Sequence, residues 1–108
     1  MRVISRKTLV DFWTLHPTSE GPLTAWYALT AAANWAGPAD VRQTFGSADF
    51  IPDSRVVFNV GGNNFRVICR LDYTYKIVFI KFVGTHADYD RVHADKVGNP
   101  NEKQERKR

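Results

Sequence analysis

The spacing of apolar residues predicts helices in the first half of the chain and strands in the second half. Leu9, Phe12 and Trp13 recur at intervals of three and four residues, which is the period of an amphipathic helix. This helix is predicted to begin after Ser5 and to end before Pro17, since proline stops a helix. The same period returns soon afterwards, so the first half predicts a pair of helices.

The second helix is predicted to begin at Thr18 or Ser19 and to continue through an alanine-rich stretch to Ala36, where a Gly-Pro pair ends it. Residues 40–45 predict one further short helix, and residues 1–4 predict a short strand ahead of the helices. The first half is therefore predicted to be a strand, a helical hairpin and a short helix.

Three runs rich in β-branched and aromatic residues follow, at 56–60, 65–71 and 75–83. Two-residue turns at Gly61-Gly62 and Tyr73-Thr74 are predicted to join them as antiparallel hairpins. Because side chains alternate between the faces of a sheet, this register predicts one wholly apolar face under the helices. The polar residues predicted on the other face are Arg55, Asn59, Asn64, Arg66, Arg70 and Lys81.

In that register Arg66 lies directly opposite Lys81. Like charges in this relation destabilise a sheet. Either an anion binds between the two side chains, or both extend into water. The same face also carries Arg55, Arg70, Asn59 and Asn64, so we interpret it as a candidate RNA-binding surface.

The last of the three runs leads into a segment rich in titratable and aromatic residues, at 84–93. His86 is predicted to lie just past the strand end, near Arg66, with Tyr89 one turn further. Histidine transfers protons near neutral pH, and arginine and lysine bind phosphate. These groups fit a metal-independent ribonuclease, in which a ribose 2′-OH attacks the adjacent phosphorus. The alternative is that Thr85 and His86 only begin a short helix, capped with the help of Asp88, on which Tyr89 packs against the sheet.

Other candidate chemistry is weaker. His86, Asp90 and His93 have the spacing of a helical metal site, but no fourth ligand is evident, so we predict neither a metal nor a cofactor. Cys69 is predicted to be a buried thiol, and the stretch 61–64 a turn rather than a phosphate-binding loop.

The composition indicates one domain at 1–97 followed by a flexible basic tail at 98–108, which contains no large apolar residue. The single cysteine excludes an internal disulfide, and no apolar run is long enough to span a membrane, so a cytoplasmic protein is expected. The net charge of +4 is uneven, because residues 54–83 carry five basic residues and one acidic residue. This basic segment, rather than the pI, favours RNA as a partner.

Two stretches, VFNVGGNNFRVI at 57–68 and IKFVGTHADYD at 80–90, resemble signatures of the HigB toxin family of type II toxin–antitoxin systems. The helical half is also similar, around Trp26 and at 39–50, so the resemblance covers residues 1 to about 97. It implies an α+β, RelE-like fold, a small mostly antiparallel sheet in the order β-α-α-β-β-β plus a short C-terminal helix, with a helical hairpin on one face.

The same resemblance implies an endoribonuclease (an mRNA interferase) that cleaves mRNA on the ribosome without a metal and leaves 2′,3′-cyclic phosphate and 5′-OH ends. It implies a cognate helix-turn-helix antitoxin (HigA-like), whose complex with the toxin binds operator DNA. Arg66 matches the phosphate-binding arginine of this superfamily, and Tyr89 stands in the family's His-x-x-Tyr segment, whereas His86 replaces an arginine found in many relatives. The predicted catalytic residues are therefore His86, Arg66, Tyr89 and Lys81.

Two other functions stay open at this point. A non-catalytic RNA-binding or interaction module would use the same basic face without cleaving RNA. A topoisomerase-directed toxin is the other alternative, because the superfamily also contains gyrase-directed members and a fold does not determine its target.

Overall fold

Helices dominate the first half of the chain, as the apolar spacing predicts. The computed structural model describes residues 1–89 and Val97. Its helices are α1 (Arg6–Leu15), α2 (Glu20–Ala32), α3 (Pro38–Thr44) and α4 (His86–Tyr89), and a short 3₁₀ helix (Pro17–Ser19) lies between α1 and α2. The tail at 98–108 lies outside the described residues.

The second helix ends four residues earlier than predicted. Ala33 adopts an extended backbone, and the chain then places Trp35 in the core, where it is 2% exposed. The indole stacks on Phe58 with 6.2 Å between ring centroids and donates a hydrogen bond to Thr44 Oγ1 at 3.1 Å. Burial of this large side chain outweighs the helix propensity of the alanines, which is worth less than about 1 kcal/mol per residue.

The described residues form one five-stranded sheet in the order β1-β5-β4-β3-β2. Its strands are β1 (Arg2–Ile4), β2 (Asp49–Ile51), β3 (Arg55–Val60), β4 (Phe65–Asp72) and β5 (Ile77–Thr85). The pairs are antiparallel except for β1, which runs parallel to β5. The mostly antiparallel α+β architecture predicted from the sequence is therefore confirmed. Strand β2, which pairs with the start of β3, was not predicted.

Both hairpins have four-residue connections instead of the predicted two-residue turns. Val60 pairs with Phe65 around the first, and Asp72 pairs with Ile77 around the second. Gly61 and Gly62 both have φ near +65° (64° and 69°), a conformation that glycine adopts at little cost. Two extra residues at each turn keep the parity of the faces, so most residues still lie on the predicted side.

A β-bulge overturns the predicted pair of Arg66 and Lys81. Cys69 pairs with Ile80, but Ile68 pairs with Phe82, so Lys81 is the extra residue on β5. Beyond the bulge Arg66 faces Gly84. A bulge inserts one unpaired residue and therefore exchanges the faces of every later residue in its strand.

Hydrophobic clusters cover both faces of the sheet. The larger cluster lies under α1, α2 and α3 and contains the predicted apolar face of β3 and β4, with Leu9, Leu23, Trp26, Trp35 and Phe58 among its members. Cys69 is fully buried there, as predicted, and burial raises the pKa of its thiol. The opposite face carries a smaller cluster, and the candidate site lies beside it.

Candidate functional site

Arg66 occupies the centre of the candidate site. Its side chain is 9% exposed, and Nη1 donates to the carbonyl oxygens of Asn63 at 2.9 Å and Phe65 at 3.3 Å. Within the described residues, no carboxylate lies within ion-pair distance of this guanidinium. A buried charge needs compensation, so an anionic ligand would supply what the neutral acceptors do not.

His86 is in direct contact with this arginine. Arg66 Nη2 lies 3.1 Å from His86 Nδ1. Because an arginine can only donate, Nδ1 accepts the hydrogen bond, and the proton of the neutral ring lies on Nε2. The His86 side chain is exposed, so Nε2 is available to a ligand.

The backbone around α4 fixes the place of the histidine. Asp88 accepts a hydrogen bond from the Thr85 amide at 3.1 Å, and the Thr85 hydroxyl accepts one from the Asp88 amide at 3.2 Å. This is the predicted capping box, which satisfies two backbone donors that the helix leaves open. In addition, the His86 amide donates to the carbonyl of Asn64 at 3.3 Å, which ties α4 to the turn that precedes β4.

Tyr89 completes the group on the other side of the arginine. The guanidinium carbon of Arg66 lies 5.9 Å from the centroid of the Tyr89 ring, within the range of a cation–π contact. The ring is half-buried and also packs against the smaller hydrophobic cluster. The fold thus brings together three of the four predicted catalytic residues, from β4 and from the segment after β5.

The structure separates Lys81 and Arg70 from these three residues. Lys81 lies three residues before Gly84, which is about 10 Å of strand, and its Nζ lies 5.8 Å from the centroid of the Phe79 ring. Arg70 lies on the same face as Arg66, exposed, about 13 Å away along β4. The central group of the site therefore consists of Arg66, His86 and Tyr89, with Lys81 and Arg70 further along the strands.

The predicted asparagines have different surroundings. Asn59 pairs with Arg66 across β3 and β4, and its amide donates to the carbonyl of Ser47 at 3.1 Å. Asn64 is exposed in the turn, and its carbonyl receives the His86 amide. Both therefore flank the site, and Asn64 also shapes it through its backbone.

Arg55 is not on an open surface as the sequence suggested. Its side chain is 1% exposed, and Nη1 donates to the carbonyl of Val97. A guanidinium covered in this way cannot reach RNA. The sequence could not predict this burial, because the covering residue lies 42 positions later in the chain.

Gly84 has a role that the sequence analysis missed. It lies opposite Arg66, and a Cβ at this position would come within 2.5 Å of Phe82 Cζ and 2.8 Å of Asp88 Cβ. Glycine is thus required for the close approach of α4 to β5. A glycine inside a predicted strand is a known sign of such an approach, and it was the available signal.

Metal ligands do not cluster in the part of the chain that the structure describes. Asp90 and His93, which the weaker metal hypothesis requires, lie outside the described residues. Within 1–89 no helix has the length and hydropathy needed to cross a membrane.

Comparison with known proteins identifies the family of this chain. Residues 19–92 match the sequence model of the HigB toxin family, described as the RelE-like toxic component of a toxin–antitoxin system. An Escherichia coli K12 protein named mRNA interferase toxin HigB is 32% identical over 92 residues, which cover 83% of this chain and 88% of that protein. An mRNA interferase HigB from Escherichia coli O6:H1 is 28% identical over 94 residues, 85% of this chain and 91% of the relative.

The family match spans more than half of the chain and includes Arg66, His86 and Tyr89. The similarity to the two relatives extends over most of each protein. The chain therefore belongs to the HigB family, the RelE-like toxic components of toxin–antitoxin systems.

Proposed function

We propose that this toxin is an endoribonuclease that cleaves mRNA at the site formed by Arg66, His86 and Tyr89. One observation carries the proposal: a largely buried arginine without a carboxylate partner among the described residues is hydrogen-bonded to an exposed histidine and lies over an aromatic ring. The names of the relatives, mRNA interferases, support the same activity.

Arg66 is proposed to bind the scissile phosphate. The described contacts engage three of the five N–H groups of its guanidinium, all with neutral acceptors. The other N–H groups, and a positive charge that no carboxylate of the described residues pairs, suit a phosphate oxygen, whose negative charge increases in the transition state. Such preorganised donors typically contribute about 10²- to 10³-fold to the rate.

His86 is proposed to transfer the proton. In the free protein Arg66 holds its Nδ1. When the Arg66 guanidinium binds a phosphate instead, Nδ1 loses this hydrogen bond. His86 then acts either as a base, through Nδ1, or as an acid, through the proton on Nε2. Tyr89 offers a ring on which a nucleobase stacks and a hydroxyl that shares the proton transfer.

The proposed reaction is a transfer of the phosphate from O5′ to the adjacent O2′. The 2′-OH loses its proton to a base, the O2′–P bond forms and the P–O5′ bond breaks. The leaving O5′ takes a proton from an acid, so the products are a 2′,3′-cyclic phosphate and a 5′-OH end. Protein side chains supply every group that this scheme needs, and we therefore propose that no metal takes part.

Neighbouring polar residues are proposed to bind the rest of the RNA. The residues proposed for this surface lie on β3, β4 and β5 and in the turn before β4, and they are Lys81, Arg70, Asn59 and Asn64. Arg55 is left out of this surface because it is buried. The partners proposed for the whole protein are mRNA on the ribosome and a helix-turn-helix antitoxin whose complex binds operator DNA.

Cleavage of a 5′-labelled RNA by the purified protein tests the activity. We expect products with 5′-OH and 2′,3′-cyclic phosphate ends, formed at the same rate with and without EDTA. Products with 5′-phosphate ends, or loss of cleavage in EDTA, would contradict the proposed chemistry. Comparison of a translated transcript with the same transcript lacking a start codon tests the role of the ribosome.

Single substitutions test the roles of the residues. We expect Arg66→Ala and His86→Ala each to lower kcat by about 10²-fold or more while the protein stays folded. Arg70→Ala should raise KM and weaken the salt dependence of binding with little change in kcat. Lys7→Ala is the matched control, because it also removes one positive charge, from an exposed position on α1, and should leave both constants unchanged.

Other outcomes would favour the alternative functions. Salt-sensitive RNA binding without any cleavage, on free or on translated RNA, would indicate a non-catalytic RNA-binding module. Growth arrest with a DNA-damage response and intact transcripts would indicate a topoisomerase-directed toxin.

A further inference from the structure

The smaller hydrophobic cluster connects the candidate site with the far end of the described chain. Val57, Ile68 and Val97 are buried in it, with 2%, 0% and 5% of their surfaces exposed. Tyr89 packs against the same cluster and also lies under Arg66. The position of the tyrosine ring therefore depends on how well this cluster is closed.

Arg55 closes the cluster at one end. It lies on β3 two residues before Val57, on the same face of the sheet. Its guanidinium donates to the carbonyl of Val97, and its Nε lies 3.9 Å from a carboxylate oxygen of the half-exposed Asp53. Because a buried guanidinium is costly without such partners, its burial here indicates that the contact with Val97 is a specific one.

Tertiary contacts hold the described turn of the helix that carries His86 and Tyr89. The described part of α4 has four residues, and a single helical turn is unstable in water without tertiary contacts. Those contacts are the capping box, the amide of His86 and the packing of Tyr89 on the cluster. Arg55 supports the packing of Tyr89, because it contacts Val97 in the same cluster.

We propose that Arg55 is a positioning residue: by holding Val97 against the sheet, it keeps Tyr89 and His86 in place on Arg66. The inference rests on the proposed function for its effect on the rate, but its effect on the geometry is independent of any activity. It also replaces the role in RNA binding that the sequence suggested for Arg55.

Substitutions in the full chain test this role. Arg55→Met keeps most of the side-chain length and removes the donors, whereas Arg55→Lys keeps one charged donor. Val41→Ala is the control, because Val41 is fully buried in the larger cluster on the other face of the sheet, so its substitution lowers stability away from the site. For each variant, urea unfolding, kcat and KM on RNA, and the NMR signals of the His86 ring nitrogens and the Tyr89 ring are measured.

We expect Arg55→Met to shift the His86 and Tyr89 signals and to lower kcat by about 10- to 100-fold at nearly constant KM, since a displacement of 1 Å has an effect of this size. Arg55→Lys should restore part of the wild-type NMR signals and part of kcat. If Arg55→Met does not fold, Arg55→Lys tests the proposal in its place. Val41→Ala should leave the signals and kcat unchanged.

Three results would overturn the proposal. The first is that Arg55→Met is less stable but leaves the NMR signals of His86 and Tyr89 unchanged. If Arg55→Met does not fold, the same result in Arg55→Lys counts. The second is an equal change in Val41→Ala, which would show a general loss of stability. The third is a higher KM and a weaker salt dependence with unchanged kcat, which would indicate that Arg55 binds RNA. If the wild-type protein cleaves neither free nor translated RNA, the proposed function fails, while the NMR signals still decide the role of Arg55.

Discussion

The substitution Gly84→Ala tests whether the close approach of β5 and α4 determines the geometry of the site. Carbon atoms in contact are ordinarily about 3.5–4.0 Å apart. The new Cβ would lie 2.5 Å from Phe82 Cζ and 2.8 Å from Asp88 Cβ. Both Phe82 and Asp88 must therefore move by about 1 Å relative to the new Cβ.

Neither movement is free of consequence. Phe82 packs against the smaller hydrophobic cluster, and Asp88 caps the helix through the Thr85 amide. We expect α4 to shift away from β5, at a cost of about 1–3 kcal/mol in the free energy of unfolding. Since His86 and Tyr89 move with α4, we also expect kcat/KM to fall by about 10²-fold.

The loss of stability is measured by urea unfolding, followed through the fluorescence of the buried Trp26 and Trp35. The loss of kcat/KM is measured by RNA cleavage. Gly21→Ala is the matched control. A Cβ at Gly21, in the first turn of α2, meets no atom within 4 Å, so this variant should be as stable as the wild type or slightly more stable, and equally active. If Gly84→Ala retained the stability and the rate of the wild type, the argument that this close approach positions the site would be refuted.

Two further predictions concern the capping box and the buried thiol. Thr85→Ala removes the acceptor of the Asp88 amide, and Asp88→Ala removes the acceptor of the Thr85 amide, so each should cost about 1 kcal/mol. The two costs should not be additive, because the two bonds are reciprocal parts of one capping box. Amide hydrogen exchange at Asp88 in the first variant and at Thr85 in the second measures the loss, and unchanged protection would contradict it. Burial raises the pKa of the Cys69 thiol, so above about pH 8.5 the native protein keeps this proton while the unfolded chain releases it. As the pH rises above this value, the free energy of unfolding should therefore fall by up to about 1.4 kcal/mol per pH unit. Urea unfolding against pH measures this slope, which Cys69→Ala should lack; equal slopes in both proteins would exclude the thiol as its cause.

Much of the candidate site is accessible from local sequence. Arg66 is recognised near the start of one strand, and His86 and Tyr89 are recognised in the segment after the next strand, because the hairpin of β4 and β5 brings these positions to the same end of the sheet. The alternation of side chains is also robust to turn length, since both turns gained two residues and kept the parity of the faces. The capping box could also be predicted from local sequence, because it depends on two residues that are only three positions apart.

The rest of the site depends on contacts that no local pattern encodes. The bulge at Lys81 has no signature in the alternation of apolar residues, and it removes the predicted pair with Arg66. Helix α2 ends early because Trp35 packs against Phe58, which is distant in the chain.

The sequence by itself determined the change from a mostly helical first half to a stranded second half, most of the apolar face of the sheet and the three residues proposed for the centre of the site. These follow from periodicity and from the chemistry of individual side chains, which are local properties. The tertiary structure alone decided which charges are exposed. Arg70 stays open to solvent and Arg55 is buried beneath Val97, although both are arginines on the same face of the sheet, because burial depends on which distant segment packs above each residue.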